Sequence, residues 1–286
     1  MRVLITGKNS YTGTNLANYL AGTHKIKTIS LRGESWQNES FTKFDTIFHV
    51  AGIAHDSAEK ISDSQRYLYD EINTTLAYNT AIKAKHDGVK QFIYMSSIII
   101  YGESAPIGRE KIITRETQPN PSSYYGESKL NGENLLNTLD DENFRVCILR
   151  CPMIYGKNCR GNYPVLARLA KKLPFFPKIN NARSMLYIKN FVEFVRLIIE
   201  NQERGIFFPQ NSEYSNTSEL VKLIAKTHGK KIFLLPFCKW PLRFLAHGSR
   251  LVNKAFGSLA YSQDLSGYKN NYRLYTLEQS INETEN

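Results

Sequence analysis

Apolar positions along this chain of 286 residues follow two rhythms: short unbroken runs that stop at glycine or serine, and longer stretches repeating every three or four residues. The run from Val3 to Ile5, stopped by Thr6-Gly7, reads as a strand buried in a parallel sheet. Leu16, Ala17, Leu20 and Ala21 then share a helical face that Gly22 closes. Ile26 to Leu31 and Asp45 to Val50 read as the next two strands, and Gln65 to His86 as one long helix closed near Gly88. Phe92 to Ser97 is a further strand, and Phe144 to Leu149 another. Between them Tyr124 to Leu139 is helical, with Leu130, Leu135 and Leu136 apolar, after a loop of Pro119, Pro121, Ser122 and Ser123. Strand alternating with helix predicts an α/β fold built on a doubly wound parallel sheet.

Beyond Tyr155 the pattern changes. Gly161 to Asn181 holds a basic helix and the proline-bracketed block Leu173-Pro174-Phe175-Phe176-Pro177, expected as a wall of a second lobe. Phe191 to Glu200 is an amphipathic helix, and Gly205 to Pro209 a strand returning to the sheet. Asn216, with Glu219 three residues on, caps a helix through Thr227 that Gly229 ends. The expected organisation is a first domain over residues 1–160, rejoined by 184–212, with 161–183 and 213–286 forming a smaller C-terminal α/β lobe. The last ten residues are polar and are expected to fray.

Charge and composition narrow the classes. A formal charge of +11 suits an anionic substrate, but the basic residues are scattered, so nucleic acid is not an expected partner. Cys147, Cys151, Cys159 and Cys238 form no CxxC pair and have no histidine cluster beside them, so no metal site is expected. No long apolar segment is present and the first strand starts at residue 2, which predicts a cytoplasmic protein. One stretch, Trp240 to Phe256, could place Leu242, Leu245, Val252 and Phe256 on one helical face among Arg243, Arg250 and Lys254. Packing on the lobe is its favoured reading, and weak contact with an anionic membrane the other.

Candidate chemistry centres on Tyr125-Gly126-Glu127-Ser128-Lys129, which sets a phenol and an ammonium one helical turn apart. A cation beside a phenol favours the phenolate, so such a tyrosine can exchange a proton during ketone–alcohol interconversion. The turn Gly7-Lys8-Asn9-Ser10-Tyr11-Thr12-Gly13, between strand and helix, lets backbone amides approach a pyrophosphate. Ser10 stands where the middle glycine of a three-glycine loop would sit.

With these motifs the chain resembles the extended short-chain dehydrogenases/reductases, the family of nucleotide-sugar epimerases, dehydratases and reductases with a Rossmann sheet. The match extends through Ala51-Gly52 at a strand end, Asn73 in a helix, Ser96-Ser97, Tyr101-Gly102, and Leu149 to Gly156 with Pro152 and Met153. It implies catalysis by Ser97, Tyr125 and Lys129. It implies a dinucleotide held by Gly7, Ser10, Tyr11, Thr12, Gly13, Ala51, Gly52, Asn73, Ser96 and Pro152. For the substrate it implies Ser97, Met153, Asn162 and Arg183, the last on a nucleotide diphosphate. Against the family pattern, Arg32 to Phe44 is too short for a helix, a strand and a second loop, so a crossover helix is expected to be missing. Family members often dimerise through a four-helix contact that includes the catalytic helix, so the resemblance admits a homodimer.

Differences from the family narrow the reaction. Ile98-Ile99 follows Ser97 where dehydratases carry an Asp–Glu pair, and Ile99 also replaces the cysteine of enzymes that epimerise beside the ketone. Arg32 ends the second strand, where an acidic residue selects NAD and arginine accommodates the 2′-phosphate of NADP. NADP(H) is therefore favoured, with NAD(H) admitted. The pattern is most similar to short 4-ketoreductases of surface-polysaccharide clusters, which implies reduction of a UDP-4-keto-6-deoxy-N-acetylhexosamine at C4. The alternatives are a UDP-hexose 4-epimerase with tightly bound NAD, and a non-catalytic dinucleotide-binding regulator.

Overall fold

The computed structural model describes residues 1–54, 62–236, 253 and 255–286. In chain order it runs β1 (Arg2–Thr6), α1 (Tyr11–Leu20), β2 (Lys25–Ile29), β3 (Thr46–His49), α2 (Asp63–Tyr69), α3 (Leu76–His86), β4 (Gln91–Ser97) and β5 (Ile112–Ile113). Next come α4 (Tyr124–Asn137), β6 (Arg145–Cys151), β7 (Met153–Tyr155), α5 (Asn162–Lys172), β8 (Phe175–Pro177) and β9 (Met185–Tyr187). The remainder is α6 (Ile188–Glu200), β10 (Gly205–Phe207), α7 (Thr217–Thr227), β11 (Phe233–Leu235), β12 (Ala260–Tyr261) and α8 (Leu277–Glu285). These elements form two compact units. The first is Met1–Gly102, Gln118–Cys151 and Val192–Phe208; the second is Glu103–Thr117, Pro152–Phe191 and Pro209–Asn286.

The first unit is a parallel sheet of six strands in the order β10-β6-β4-β3-β1-β2. The order reverses at β1, with β2 on one side and β3 on the other, so the loop leaving β1 sits at the switch point where such sheets bind ligands. β1, β3 and β4 carry Leu4, Ile47 and Phe92, all fully buried, as central strands covered on both faces require. Between β2 and β3 the regular structure is a 3₁₀ turn, Ser35–Asn38, in place of a crossover helix. Trp36 and Phe41 from this segment are buried in the same core cluster as Leu4 and Ala81. Each such burial contributes on the order of 2 kcal/mol, so two aromatic side chains do part of the work of the missing helix.

Several expectations are corrected here. β2 ends at Ile29 rather than Leu31. The helix expected over 65–86 starts at Asp63, where Ser62 and Gln65 form a reciprocal capping box, and widens to a π-helix over Asp70–Thr75. Apolar periodicity alone does not register that widening.

The second unit contains β7 paired with β9, β8 with β11, and β12 with β5, each pair parallel. The block at 173–177 includes a true strand, β8. Asn216 caps α7 as expected, its side chain accepting from the backbone N–H groups of Ser218 and Glu219. The tail expected to fray is instead α8, begun by a Thr276–Gln279 capping box and anchored by Leu277 and Ile281. Near its end the Glu285 carboxylate accepts from Tyr163 Oη at 2.9 Å, Lys171 Nζ at 3.1 Å and a ring nitrogen of His228 at 2.7 Å. Polar composition concealed these anchors because each partner is far away in sequence. Among the described residues, no helix is long and apolar enough to cross a membrane. The Trp240–Phe256 stretch lies outside the described residues except for Asn253, Ala255 and Phe256, and Cys238 lies outside them entirely.

Candidate active site

The turn after β1 is tight because Gly7 takes φ of +80°, and a Cβ there would meet Ala51 N at 2.9 Å. Glycine thus lets the ends of β1 and β3 close on each other. Ser10 is the N-cap of α1: its Oγ accepts from Gly13 N at 3.1 Å. The residue in the middle-glycine position therefore serves the helix start with its side chain, and Tyr11 and Thr12 open the first turn. A Cβ on Gly52 would lie 2.9 Å from Asn73 Oδ1 and 3.3 Å from Lys129 Nζ, so these three residues converge beyond β3. Glycine at both strand ends, a capped helix N-terminus and a buried lysine make a cradle whose backbone suits a dinucleotide.

Asn73 lies in the π-helix and is fully buried. Its amide nitrogen donates to Ile53 O at 3.0 Å and Ser128 Oγ at 3.1 Å, while its oxygen accepts from Ile53 N at 3.0 Å. Both donors are committed, so Asn73 fastens the loop after β3 to α4 rather than offering its amide outward.

α4 carries the tyrosine and lysine. Ser123 caps it, accepting from Gly126 N at 3.2 Å, which places Tyr125 in the first turn and Lys129 one turn later. Burial pushes the Tyr125 phenol up to about 12, the Ser97 hydrogen bond acts in the opposite direction, and Cys151 and Tyr69 add to the rise. Lys129 is also buried, which brings its ammonium down to about 8 against the opposing pull of Glu133. Its Nζ donates to Met95 O at 2.8 Å and lies 4.7 Å from the centre of the Tyr94 ring.

These contacts correct one expectation. Lys129 was expected to lower the pKa of Tyr125, whereas the phenol stands above its ordinary value and its hydrogen-bonding partner is Ser97. Loss of solvation on burial is the largest cause of the rise, and the Lys129 ammonium is engaged by Met95 O.

Behind this set lies a polar cluster that sequence reading missed. Glu133, one turn beyond Lys129, is 1% exposed and faces Arg150, which is 8% exposed. Arg150 Nη2 donates to Glu133 Oε2 at 2.7 Å, and Nε lies 3.1 and 3.2 Å from the two carboxylate oxygens. Arg150 Nη1 donates to Tyr101 Oη at 2.6 Å, and the Ser96 hydroxyl donates to Glu133. Ser96, expected at the cofactor, thus has its hydroxyl committed to this ion pair. Register explains the grouping: β4 and β6 pair Ser96 with Arg150 and Ser97 with Cys151. The Glu133-to-Lys129 spacing of four was the one signal available in the sequence.

Two more neighbours were unremarked. His49 is buried at the end of β3 with Nδ1 3.2 Å from Thr6 Oγ1, and burial together with the Lys129 charge holds its pKa near 3, so it stays neutral. Tyr69 of α2 sets its ring 6.2 Å from that of Tyr125. Cys151 is buried and borders the site; burial keeps its thiol protonated.

The remaining expected residues are distributed between the units. Arg32 is exposed just past β2 in the first unit, its backbone N donating to Ser30 Oγ at 3.2 Å. In the second unit Pro152 is buried, Met153 begins β7 and Asn162 begins α5. Arg183 precedes β9, with Nη1 donating to Gly257 O at 3.2 Å and with burial lowering its pKa.

Comparison with known proteins shows the family of the chain. The profile of the NAD dependent epimerase/dehydratase family matches residues 3–207. A UDP-glucose 4-epimerase of Vibrio cholerae is 28% identical over 298 residues, covering 93% of this chain and 90% of the relative. A GDP-6-deoxy-D-mannose reductase of Pseudomonas aeruginosa is 24% identical over 302 residues, 98% of this chain and 94% of the relative. Among solved structures, a UDP-glucuronic acid 4-epimerase from Bacillus cereus with NAD aligns at TM-score 0.74 and 16% identity, covering 100% of this chain and 98% of that one.

Proposed function

We propose that this chain, which belongs to the NAD dependent epimerase/dehydratase family, reduces the C4 ketone of a UDP-linked 4-keto-6-deoxy-N-acetylhexosamine, with Tyr125 as proton donor. The observation that carries the reading is the bonded Ser97–Tyr125 pair with Lys129 one helical turn on, followed by hydrocarbon at Ile98 and Ile99. Neither isoleucine can transfer a proton, so elimination of water or epimerisation beside the ketone lacks its second acid–base group.

Gly7, Gly13 and Gly52 would hold a dinucleotide, which would supply the hydride. The chain's own part is the proton. Tyr125, protonated throughout the neutral range, gives its hydrogen to the sugar oxygen, and the Ser97 hydroxyl bonds that oxygen as charge develops. Lys129, charged below about pH 8, stabilises the tyrosinate left behind. Arg32, exposed past the edge strand, supports NADP(H), since a guanidinium suits a ribose phosphate. NAD(H) is the alternative cofactor. Arg183, Asn162 and Met153 are assigned to the nucleotide end of the substrate.

A second reading, a UDP-hexose 4-epimerase retaining NAD, is favoured by the Vibrio cholerae relative, whose similarity extends over 93% of the chain. The two separate in one assay. With UDP-4-keto-6-deoxy-N-acetylglucosamine, a reductase consumes NADPH in proportion to product. An epimerase consumes none and interconverts UDP-glucose and UDP-galactose without added cofactor. Neither activity would remove both readings.

A further inference from the structure

The second unit carries an exposed face that the proposed reaction does not use. α5 ends in Lys171-Lys172, and Lys230-Lys231 follows α7. Each pair leads within a few residues into a short strand bearing an exposed phenylalanine. β8 and β11 run parallel with Phe175 opposite Phe233, and the two rings lie 6.0 Å apart. Phe175 is 53% exposed and Phe233 61%, while the next residue, Phe176, turns inward and packs 5.7 Å from the ring of Phe256. Strand alternation therefore fixes Phe175 and Phe233 outward.

Leu173 is exposed two residues before Phe175, and Lys171, Lys172, Lys178, Lys230 and Lys231 on the flanking segments are exposed as well. Lys230 Nζ donates to Lys171 O, drawing the two lysine pairs together. Lys178, just after β8, donates its backbone N–H to Leu235 O at 3.0 Å and adds a fifth lysine. Lys171 is ion-paired with Glu285 at 3.1 Å. No aspartate or glutamate occurs in 171–178 or 230–236. Among the described residues these two strands pair only with each other, and they set two exposed phenylalanines within segments that carry five exposed lysines, one of them paired with Glu285.

We infer that this face docks on an anionic phospholipid surface, with Phe175 and Phe233 entering the boundary between headgroups and acyl chains while the lysines meet lipid phosphates. Amphipathic surfaces of this kind bind through apolar area and charge together, and two phenylalanines alone give only reversible attachment. A second copy of the chain is a poor occupant, because a two-fold contact would set lysine against lysine. A nucleic-acid strand needs open ring faces for base stacking, and here each ring leans on the other at 36°.

Sedimentation of the full-length protein with vesicles tests the inference, using phosphatidylglycerol with phosphatidylcholine in equal parts against phosphatidylcholine alone. The expected result is preference for the anionic vesicles at low salt and release as salt rises. Lys172→Glu/Lys231→Glu should cut the partition by about twentyfold or more, and Phe175→Ser/Phe233→Ser should lower it at every salt concentration. Thermal unfolding confirms that the variants fold; the charge pair lies on the surface and decides the matter if the phenylalanine pair does not fold. Equal sedimentation with both vesicle types would overturn the inference. So would anionic binding unchanged in the charge variant, or binding of a single-stranded oligonucleotide that competes with the vesicles.

Discussion

Tyr125 keeps its proton because the phenol is buried, which raises it to about 12 even with the Ser97 hydrogen bond acting in the opposite direction. In the reductive direction that is the useful state, since the group enters the reaction as an acid. Tyr125→Phe should lower kcat by about 10²–10⁴-fold with cofactor affinity nearly unchanged, measured by turnover and by fluorescence titration of the dinucleotide. Lys129 has the opposite sensitivity. Burial lowers it from 10.5 to about 8, so it carries charge below that pH and loses it above. The groups acting on it are Glu133 on its own helix and Cys151 on β6, with the Tyr94 ring of β4 against its ammonium; the lysine charge in turn lowers the pKa of His49 on β3. The pH profile of kcat/KM should be level up to about pH 8 and fall beyond it; a flat profile to pH 10 would contradict the role given to the charge. The same shift has a stability sign. Between about pH 8 and 10.5 the unfolded chain binds the proton that the folded chain has released, so this site makes the fold more stable as pH rises through that window. Arg32→Asp should weaken NADPH much more than NADH, and an equal effect on both would remove the 2′-phosphate assignment. The tyrosine–lysine spacing was plain in the sequence. The solvation that sets both pKa values was not, because it arises from β3, β4 and β6 closing around α4.

At the scale of elements, the Glu133–Arg150 pair joins α4 to β6, and Ser96 adds the end of β4. α4, which carries Tyr125 and Lys129, and β4, which carries Ser97, are thereby fixed to each other and to β6. Removing one charge leaves the other buried without its partner, which costs about 3–5 kcal/mol. Glu133→Gln should lower the unfolding free energy by an amount of that order in urea titration. Glu133→Leu/Arg150→Met should lose markedly less, because no charge is then stranded. Hydrophobic rhythm made the major strands and helices legible, including α4 and β4. It did not reveal the π-helix at Asn73, which depends on hydrogen bonds to Ile53 and Ser128, nor α8, whose polar outer face hides anchors at Leu277 and Ile281. Local pattern reports which face is apolar; it does not report what a polar side chain will find there.

For the molecule as a whole, the chain interleaves its two units. It leaves the first at Glu103, returns at Gln118, leaves at Pro152, returns at Val192 and leaves again at Pro209. The match over residues 3–207 shows the family, the strand order fits its fold, and the proposed catalytic residues Ser97, Tyr125 and Lys129 lie within the first unit. The residues proposed for the nucleotide end of the substrate, Met153, Asn162 and Arg183, belong to the second unit. That part was least legible in the sequence, since short strands such as β7, β8 and β9 are three residues each and carry little periodicity. The central claim is hydride delivery to C4 of a nucleotide-linked sugar, with Tyr125 supplying the proton. Its most direct test is isotopic: turnover of UDP-4-keto-6-deoxy-N-acetylglucosamine with NADPH deuterated at nicotinamide C4 on the transferred face, followed by NMR of the product. Deuterium at sugar C4, with turnover by Tyr125→Phe lowered by about 10²–10⁴-fold, is the predicted result. Product without label at C4, or full turnover by the phenylalanine variant, would contradict the account.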